Sequence, residues 1–390
     1  MKRRYAILEV PKSYRSSSGW ARPEKQWGIS DLNIHEAELS SSELRDIDRD
    51  PNVKDYGLIM PVRMIRPTAR SIERGSEASE SWGIAAVGAS ESPLDGSGVN
   101  VAVLDTGIDR SHPAFNDVQI VEEDFSGTGN GDADGHGTHC AGTIFGRDVD
   151  GVRIGIARNV NKALIGKIFS DNGESDSLAI FKSMRWATDH GAHIISMSIG
   201  FDFPGLVAKL VEDDYPIKLA TSIALEHFKD SLRMFDTIMG SIEATGPSAR
   251  GPLVIAAAGN DSMRDQDPRF RLSASLPSSA SGVISVAALR KAAGGLEIAE
   301  FSNGRAVICA PGGDILSAAR DGGLATMSGT SMACPHVAGV ASLWWQKVGS
   351  SHIRANRESI KARLLTSAEI GLLAAFDTED SEVGLVKSPA

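Results

Sequence analysis

The residues with the clearest capacity for chemistry lie at 328–339, where the chain reads Ser-Gly-Thr-Ser-Met-Ala-Cys-Pro-His-Val-Ala-Gly. Glycine and small residues surround Ser331, and an apolar helix pattern begins directly after it. Such a turn exposes a hydroxyl at the start of a helix, where backbone N–H groups and the helix dipole stabilise developing negative charge. A serine hydroxyl is a weak nucleophile by itself, so this position needs a base and an orienting acid from elsewhere in the chain.

An acid and a base are both available in other glycine-containing segments. Asp105 ends a short, mostly apolar run at 99–104 that is typical of a buried parallel strand. Catalytic groups collect at the carboxyl ends of such strands, so Asp105 is the candidate acid. His136 lies between two glycines in Asp-Gly-His-Gly-Thr-His, where a helix pattern follows, and is the candidate base. The sequence therefore predicts that Asp105, His136 and Ser331 are catalytic.

Each of these three segments also has a simpler interpretation. An aspartate at a strand end commonly caps a helix or turn, a histidine between glycines is often a polar loop residue, and Gly-Thr-Ser before a helix is often an N-cap. His136 and His139 also have the H-x-x-H spacing of a zinc site, although Gly137 and Thr138 stand where metalloproteases carry a glutamate. The presence of all three segments in one chain favours catalysis over these alternatives.

The three segments together resemble those of the subtilisin-family (subtilase) serine proteases. The motifs Asp-Thr-Gly-Ile-Asp, His-Gly-Thr-His and Gly-Thr-Ser-Met-Ala-x-Pro-His occur in the Asp, His, Ser order of that family. An α/β-hydrolase would instead run Ser, Asp, His and carry G-x-S-x-G, whereas the run from Gly329 is G-x-S-x-A. The resemblance covers about residues 80–370. It implies an α/β fold, a subtilisin-like three-layer domain whose central, mostly parallel sheet is flanked by helices.

The resemblance also implies an oxyanion hole and a mechanism. Asn260 follows another apolar strand pattern, and by resemblance its side chain and the Ser331 backbone N–H form the oxyanion hole. An amide donates a hydrogen bond without bringing a charge that must be desolvated. Ser331 would attack a peptide carbonyl, His136 would carry the proton to the leaving amine, and Asp105 would hold the imidazole tautomer. The implied function is a serine endopeptidase that acts through an acyl-enzyme intermediate.

Substrate binding follows from the resemblance as well. Two segments would flank an extended peptide and pair with its backbone, and a third would wall the pocket for the residue before the cleaved bond. Because main-chain hydrogen bonds carry no sequence information, this mode predicts fairly broad specificity. The acidic residues Glu174, Asp176 and Asp261 either favour basic positions in the substrate or are solvated loop charges. The substrate-binding residues predicted in this way are Gly173, Glu174, Ser175, Ser198, Ile199, Gly200, Ala257, Ala258 and Gly259.

The region before the catalytic motifs has a different composition. Residues 1–65 contain strand patterns around a short predicted helix at 39–49, and they resemble a subtilase propeptide, a small α+β domain. Residues 66–81 are polar and lack periodicity, which predicts a linker, with self-cleavage between about Ile72 and Ser81. Residues 82–390 would form the catalytic domain. The alternative is a small N-terminal domain that stays permanently attached, and an active protein that still begins at Met1 would favour it.

Charge favours docking of the N-terminal region on the rest of the chain. Residues 1–75 carry 14 Lys+Arg and 11 Asp+Glu, a net charge of +3, whereas the remaining residues carry 26 and 39, a net charge of −13. Opposite net charges promote association between two parts of a molecule. The charges bear on association only; it is the resemblance to a subtilase propeptide that implies a role for the N-terminal segment as an intramolecular inhibitor or chaperone.

An insertion is predicted at 201–250, where the family has only a short helical connection. Apolar residues in it repeat at alternating spacings of three and four, which predicts one face of a helix. We expect this face to pack against the sheet, and a dimer face or a cover over the cleft are the alternatives. The residues of this face are Leu225, Phe228, Leu232, Phe235, Met239 and Ile242.

Composition limits the remaining classes of function. A chain of 390 residues with 42% hydrophobic residues can bury a substantial core, and a net charge of −10 without a long basic run argues against nucleic-acid binding. No apolar stretch is long enough to span a bilayer, so no membrane partner is expected. The expected partners are polypeptide substrates.

Cysteine usage and the N-terminus predict a cytoplasmic location. The three cysteines are an odd number, and Cys140 and Cys334 lie inside the motifs, which predicts free thiols in a reducing compartment. The basic start of the chain resembles a signal peptide for four residues only, because Glu9 and Pro11 interrupt any apolar region.

No cofactor and no metal are predicted. Many subtilases bind calcium through an aspartate in the segment after the catalytic acid, where this chain has Ala114. Asp148 and Asp150 could supply oxygens, but the sequence offers no full ligand set for a hard cation. A second class of function remains open, an interaction protein that keeps the fold and recruits a partner through its N-terminal segment or its long helix.

Overall fold

The computed structural model describes residues 2–11, 27–73, 79–244, 251–351 and 355–390. Strands and helices alternate along most of the chain after residue 100, as expected for an α/β protein. In chain order the elements are β1 Arg3–Glu9, β2 Asn33–Leu39, α1 Ser41–Ile47, β3 Val53–Leu58, β4 Pro61–Met64, β5 Ala69–Glu73, α2 Trp82–Ala86, β6 Asn100–Asp105, β7 Ile120–Asp124, α3 His136–Phe145, β8 Lys162–Lys167, β9 Ser175–Asp176, α4 Ser177–Asp189, β10 Ile194–Met197, β11 Ile199–Phe201, α5 Phe203–Glu212, α6 Ile217–Glu243, β12 Leu253–Ala257, β13 Ile284–Ala292, β14 Gly295–Ile298, β15 Ile308–Pro311, β16 Ile315–Ala318, β17 Leu324–Ser328, α7 Thr330–Ser350 and α8 Arg357–Ser367.

An eight-stranded sheet forms the middle layer. Its strand order is β14-β13-β12-β10-β6-β8-β7, with β15 also paired to β13. β14 is antiparallel to β13, and the other pairs are parallel. Parallel strands of this kind read as apolar runs because helices cover both faces of the sheet. The predicted α/β fold with a mostly parallel central sheet is confirmed.

Alternate residues of β6 show how the layers are separated. Val101 and Val103 belong to the core formed with α3 and α7, whereas Ala102 and Leu104 belong to the core formed with α4 and α6. Successive side chains of a strand point to opposite faces, so one strand contributes to both cores. The strand ends at Asp105, which places that carboxylate at the carboxyl edge of the sheet.

The N-terminal region forms a small antiparallel sheet with the order β2-β1-β3. Helix α1 follows β2 and begins after Ser40, whose hydroxyl accepts a hydrogen bond from the Glu43 N–H, while Glu43 accepts one from the Ser40 N–H. Ala6 and Leu8 of β1 lie in the same buried core as Phe181 of α4. The N-terminal sheet therefore shares its core with the two helices that cover this side of the central sheet.

The predicted linker at 66–81 requires a correction. Strand β4 follows the N-terminal sheet in the chain and belongs to a second small sheet with the order β11-β4-β9, and β5, at 69–73, pairs with β17. A polar composition does not prevent this pairing, because the ladder bonds are made by main-chain groups. Part of the predicted linker is therefore an ordered strand; residues 74–78 lie outside the described residues.

The insertion consists of α5 and the long helix α6. Phe235, Met239 and Ile242 are buried in the core beneath the sheet, as expected from the predicted apolar face. Leu225 differs from the prediction because it is exposed. In the first half of α6 the buried residues are Ala220 and Ala224, and the helix as a whole also packs against α5 and β3. No helix among the described residues is long and apolar enough to cross a membrane.

Candidate active site

Asp105 and His136 form a buried hydrogen-bonded pair. His136 is the first residue of α3, and its Nδ1 lies 2.7 Å from Oδ1 of Asp105 at the end of β6. The relative exposures of the two side chains are 0% and 1%. Burial alone lowers the pKa of His136, but the charge and hydrogen bond of Asp105 outweigh it and raise this pKa above its ordinary value. The bond fixes the imidazole with Nδ1 toward the carboxylate, which leaves Nε2 for chemistry.

The glycines of the two motifs permit this close approach. A Cβ on Gly137 would lie 2.2 Å from the carbonyl oxygen of Gly107. Thr106 Oγ1 accepts a hydrogen bond from the Gly137 N–H at 2.9 Å and donates one to Asp132 at 2.8 Å. Asp132 also accepts the N–H and the hydroxyl of Thr138. The Asp-Thr-Gly loop and the start of α3 are thus held together by side chains as well as by packing.

Ser331 is the second residue of α7, at the point where this helix meets α3. Its side chain is buried, and its backbone carbonyl lies 3.4 Å from Sγ of Cys140 on α3 and 3.2 Å from Oγ of Ser198. Cys140 Sγ in turn lies within 4.8 Å of ligand atoms of Asp105 and His136. The structure therefore brings the three predicted catalytic residues to one place, around the thiol of Cys140.

The hydroxyl of Ser331 is hydrogen-bonded to the chain's own N-terminal segment. Its Oγ donates to the carbonyl oxygen of Ile65 at 2.8 Å. His136 Nε2 is buried and has no hydrogen-bond partner among the described residues. The resemblance implies a direct hydrogen bond between His136 and Ser331. The Ser331 hydroxyl instead donates its hydrogen bond to the N-terminal segment that crosses the site.

Asn260, the predicted oxyanion donor, lies just beyond β12. Its Oδ1 accepts the backbone N–H and the hydroxyl of Thr330, both at 2.8 Å. These two bonds fix the orientation of the amide, so that Nδ2 donates into the cleft and reaches the carbonyl oxygen of Arg66 at 2.9 Å. Thr330 was not predicted from the sequence as part of the site, although its position directly before Ser331 could have indicated that it lies there.

Asn303 is a second residue that sequence reasoning missed. Its Oδ1 accepts the backbone N–H groups of Asp261 and Ser262 at 3.0 and 3.1 Å. A Cβ on Gly259 would lie 2.4 Å from Asn303 Nδ2, and Gly259 has φ +119°, so this position requires glycine. Asn303 is far from Asn260 in sequence, and only the fold brings it beneath the loop that carries the amide.

Strand β4 occupies the groove between the two predicted substrate-binding segments. On one side Ile199 and Gly200 pair with Met64 and Arg63. On the other side Ser175 pairs with Val62. The Ile65 N–H continues the first ladder with a 3.3 Å bond to the carbonyl of Ser198. The groove expected to bind an extended peptide is thus filled by an extended segment of this chain.

The pocket expected for the residue before the cleaved bond contains Ile65. This side chain is 5% exposed and belongs to the same buried cluster as Ala257 and Ala258. A Cβ on Gly200 would lie 3.5 Å from Ile65 Cγ1, so Ile65 packs directly against this glycine. The remaining predicted residues lie close by, since Gly173 and Glu174 line the groove around β4, and Gly259 precedes Asn260.

The Ile65–Arg66 peptide bond is the one that faces Ser331. Ser331 contacts the carbonyl of Ile65, whereas Asn260 donates to the next carbonyl, that of Arg66. The chain then continues through Thr68, whose N–H donates to the carbonyl of Ser328 at 2.8 Å, into β5. The predicted cleavage between Ile72 and Ser81 stays a prediction, because Ile72 is held in β5 and residues 74–78 lie outside the described residues.

The buried histidine and thiols near the site are uncharged at neutral pH. Burial lowers the pKa of His139 to about 3, and its Nε2 donates to two backbone carbonyls, those of Ile315 and Ala325. Burial raises the pKa of the Cys140 thiol, and that of Cys334 to about 12. The Nε2 of His139 is thus engaged by two main-chain carbonyls. Within the described residues, the one group of three potential metal ligands is Asp105, His136 and Cys140.

Comparison with known proteins supports the same assignment. Residues 96–386 match the model of the subtilase family. The chain is 29% identical to a subtilisin-like serine protease, Pen c 1, of Penicillium citrinum over 84% of this chain and 73% of that protein. It is 32% identical to the major intracellular serine protease of Bacillus subtilis (strain 168), over 64% of this chain and 69% of that protein.

A solved structure gives the same result for the fold. A crystal structure of a cold-adapted subtilisin-like serine proteinase superposes with a TM-score of 0.55 at 26% identity, covering 77% of this chain and 92% of that chain. Family match, relatives and structural neighbour agree with the motifs and with the arrangement of the sheet. The chain belongs to the subtilase family and is a subtilisin-like serine endopeptidase.

Proposed function

We propose that the protein hydrolyses peptide bonds through a triad of Asp105, His136 and Ser331, with Asn260 as a donor in the oxyanion hole. The observation that carries the proposal is the 2.7 Å bond between the buried side chains of Asp105 and His136, next to the start of α7. A buried carboxylate bonded to Nδ1 holds the imidazole in the tautomer whose Nε2 accepts a proton. This arrangement converts the weak nucleophile Ser331 into a reactive one.

The proton transfers follow from this tautomer. His136 Nε2 takes the proton of Ser331 Oγ as that oxygen attacks the substrate carbonyl. The imidazolium is stabilised by Asp105 and returns the proton to the leaving amine. Water then attacks the acyl-enzyme by the same route and releases the second product. Asn260 Nδ2, which already donates into the cleft, stabilises the negative charge on the carbonyl oxygen in both halves of the reaction.

We further propose that residues 61–66 inhibit the full chain. Their backbone is paired on both sides, and Ile65 fills the pocket beside the nucleophile. Attack requires the nucleophile and the oxyanion donor at the same carbonyl. Ser331 and Asn260 contact successive carbonyls instead, so the Ile65–Arg66 bond is held in a non-productive position. This supports the expected role of the N-terminal segment as an intramolecular inhibitor.

The specificity that we propose is fairly broad. Backbone pairing in the groove recognises an extended chain irrespective of its side chains, as the pairing of β4 illustrates. The pocket that holds Ile65 favours an apolar side chain before the cleaved bond. The cytoplasmic location stays a prediction, and fractionation of cells that express the protein checks it.

Substitution of the nucleophile tests the triad. We expect Ser331→Ala and His136→Ala each to lower kcat for a protein substrate by roughly 10⁴-fold or more, because members of a triad act as a unit. Cys309→Ala is the matched control, since Cys309 is buried outside the cleft and its loss should leave kcat nearly unchanged. The measurement is hydrolysis of a fluorescently labelled protein, with circular dichroism to verify folding.

The occupied cleft also favours a second candidate, a binding protein in which β4 permanently blocks proteolysis. In that case wild type and Ser331→Ala would hydrolyse substrate equally slowly. Equal rates that persist when both proteins also carry Ile65→Asp, which displaces β4 from the cleft, would contradict the triad proposal, whereas a large loss in Ser331→Ala would exclude the binding protein.

A further inference from the structure

Arg63 of β4 lies at a defined position relative to the bond that faces the nucleophile. Ile65 precedes that bond, so Arg63 is the third residue before it. In an extended strand, residues two apart point to the same side, which places Arg63 on the side of Ile65 and away from Val62 and Met64. The two buried cores agree with this alternation, because Val62 and Met64 lie in one core whereas Ile65 lies in the other.

The guanidinium of Arg63 contacts two aspartates. Its Nη2 lies 2.7 Å from both carboxylate oxygens of Asp261, and its Nε lies 3.8 Å from Oδ1 of Asp202. The side chains of the three residues are 42%, 32% and 31% exposed, so solvent screens the pair only in part. The contact with Asp261 is a charge-assisted hydrogen bond, whereas the contact with Asp202 is an ion pair without a hydrogen bond. Two carboxylates also attract a lysine ammonium as a point charge.

Both carboxylates are positioned by other parts of the protein. Asp261 follows the oxyanion residue Asn260, and its backbone N–H is held by the buried side chain of Asn303 at 3.0 Å. Asp202 is the N-cap of α5 and accepts the Gly205 N–H at 3.0 Å. One aspartate therefore belongs to the loop beside the catalytic residues, and the other belongs to the insertion.

We propose that Asp261 and Asp202 form a subsite that selects an arginine or lysine at the third residue before the cleaved bond. The inference rests on the proposed function, since it treats β4 as a mimic of bound substrate. It assigns a role in specificity to the insertion, which supplies Asp202. The preferred substrates are extended polypeptides with a basic residue two positions before an apolar residue that precedes the cut.

Matched peptides test this subsite in the full chain. Internally quenched peptides carry the sequence of residues 60–65 followed by alanines, with Arg, Gln or Glu at the position of Arg63, and mass spectrometry locates the cut. We expect kcat/KM to be roughly five- to tenfold higher for the Arg peptide than for the Gln peptide, and lowest for the Glu peptide. The ratio within one protein is independent of the fraction of molecules whose cleft is open.

Substitutions identify the groups responsible. The ratio should fall to about one in the double variant Asp261→Asn, Asp202→Asn, in which asparagine at 202 still caps α5. Asp261→Lys should reverse the preference toward the Glu peptide. Asp267→Asn is the matched control, because this carboxylate pairs with Arg269 on the surface and the ratio should stay at its wild-type value.

The outcomes separate the two proposals. Equal rates for the Arg and Gln peptides in the wild type, or a ratio that survives the double substitution, would overturn the subsite while leaving the protease intact. Failure of the wild type to cleave any of the peptides, together with no covalent labelling of Ser331 by a fluorophosphonate, would overturn the proposed function itself and the subsite with it.

Discussion

Asp105 determines both the tautomer and the basicity of His136. Burial favours the neutral imidazole, and the adjacent carboxylate favours the protonated form more strongly, so the pKa is raised. Asp132 and Asp134 contribute in the same direction from the loop before α3. The reactivity of Ser331 at a given pH therefore depends on how these carboxylates hold one buried ring.

This shift predicts the acid limb of the pH profile. His136 acts as a base only when neutral, so kcat/KM should rise with pH and reach half its maximum above pH 6.5, the ordinary histidine value. Asp105→Asn removes the largest cause that raises the pKa, so the limb should move to lower pH while kcat falls by roughly 10⁴-fold. The measurement is kcat/KM for one peptide at pH values from about 4 to 9, a range that brackets the ordinary pKa of histidine.

The same shift has a consequence for stability. A pKa raised on folding means that the folded state binds the proton more tightly than the unfolded chain. The contribution of His136 to the free energy of unfolding is therefore fully present below its unfolded pKa and is lost as the pH rises through the folded pKa.

A half-maximal kcat/KM below pH 6.5 in the wild type would contradict the predicted direction of the shift.

At the scale of elements, the contact between β3 and α6 joins the N-terminal sheet to the catalytic part. A Cβ on Gly57 would lie 2.8 Å from Sδ of Met234 and 2.9 Å from Cβ of Asp230. The Leu58 N–H donates to Asp230 at 3.1 Å, and Arg233 binds Asp55 at 2.9 Å. Glycine at this position therefore allows the strand to lie directly on the helix.

Gly57→Ala should weaken this contact. Overpacking of a close contact costs about 1–3 kcal/mol, so the variant should unfold at a lower temperature, and the N-terminal region should inhibit less. Gly240→Ala on the same helix is the matched control, since a Cβ there meets nothing within 4 Å and alanine favours the helix. Thermal unfolding and peptide hydrolysis measure the two effects. Equal melting temperatures for Gly57→Ala and the wild type would contradict the proposed contact.

At the scale of the whole molecule, the N-terminal region and the catalytic part form one structure. Core residues of β1 lie with those of α4 and α6, and ion pairs such as Arg3–Glu226 and Arg4–Asp176 cross the same boundary. These pairs are partly exposed, so each contributes little and is screened by salt. The main attachment is instead the backbone pairing of β4 and β5 and the burial of apolar side chains.

The sequence was sufficient for the parts of the fold that local chemistry determines. Asp105 could be placed at a strand end and Ser331 at a helix start because apolar runs and glycines mark those boundaries. The path of residues 61–73 could not be predicted, since Val62, Met64 and Ile65 read as a strand whatever its partner is. Asn303 and Thr330 were missed because their roles depend on the loops that the fold brings to them. Leu225 was predicted to be buried, but the small residues Ala220 and Ala224 are buried in that part of the helix instead, and the pattern of large apolar residues did not include them.

The most direct test of the account is the rate at which a fluorophosphonate labels Ser331 in the uncut full chain, with intact mass used to separate cut from uncut molecules. We expect slow labelling in the wild type and labelling faster by roughly tenfold or more in Ile65→Asp, because a carboxylate in the buried pocket displaces β4 from the cleft. Leu219→Asp, at an exposed position of α6, should label at the wild-type rate. Equal rates in wild type and Ile65→Asp would contradict the proposal that β4 covers a functional nucleophile.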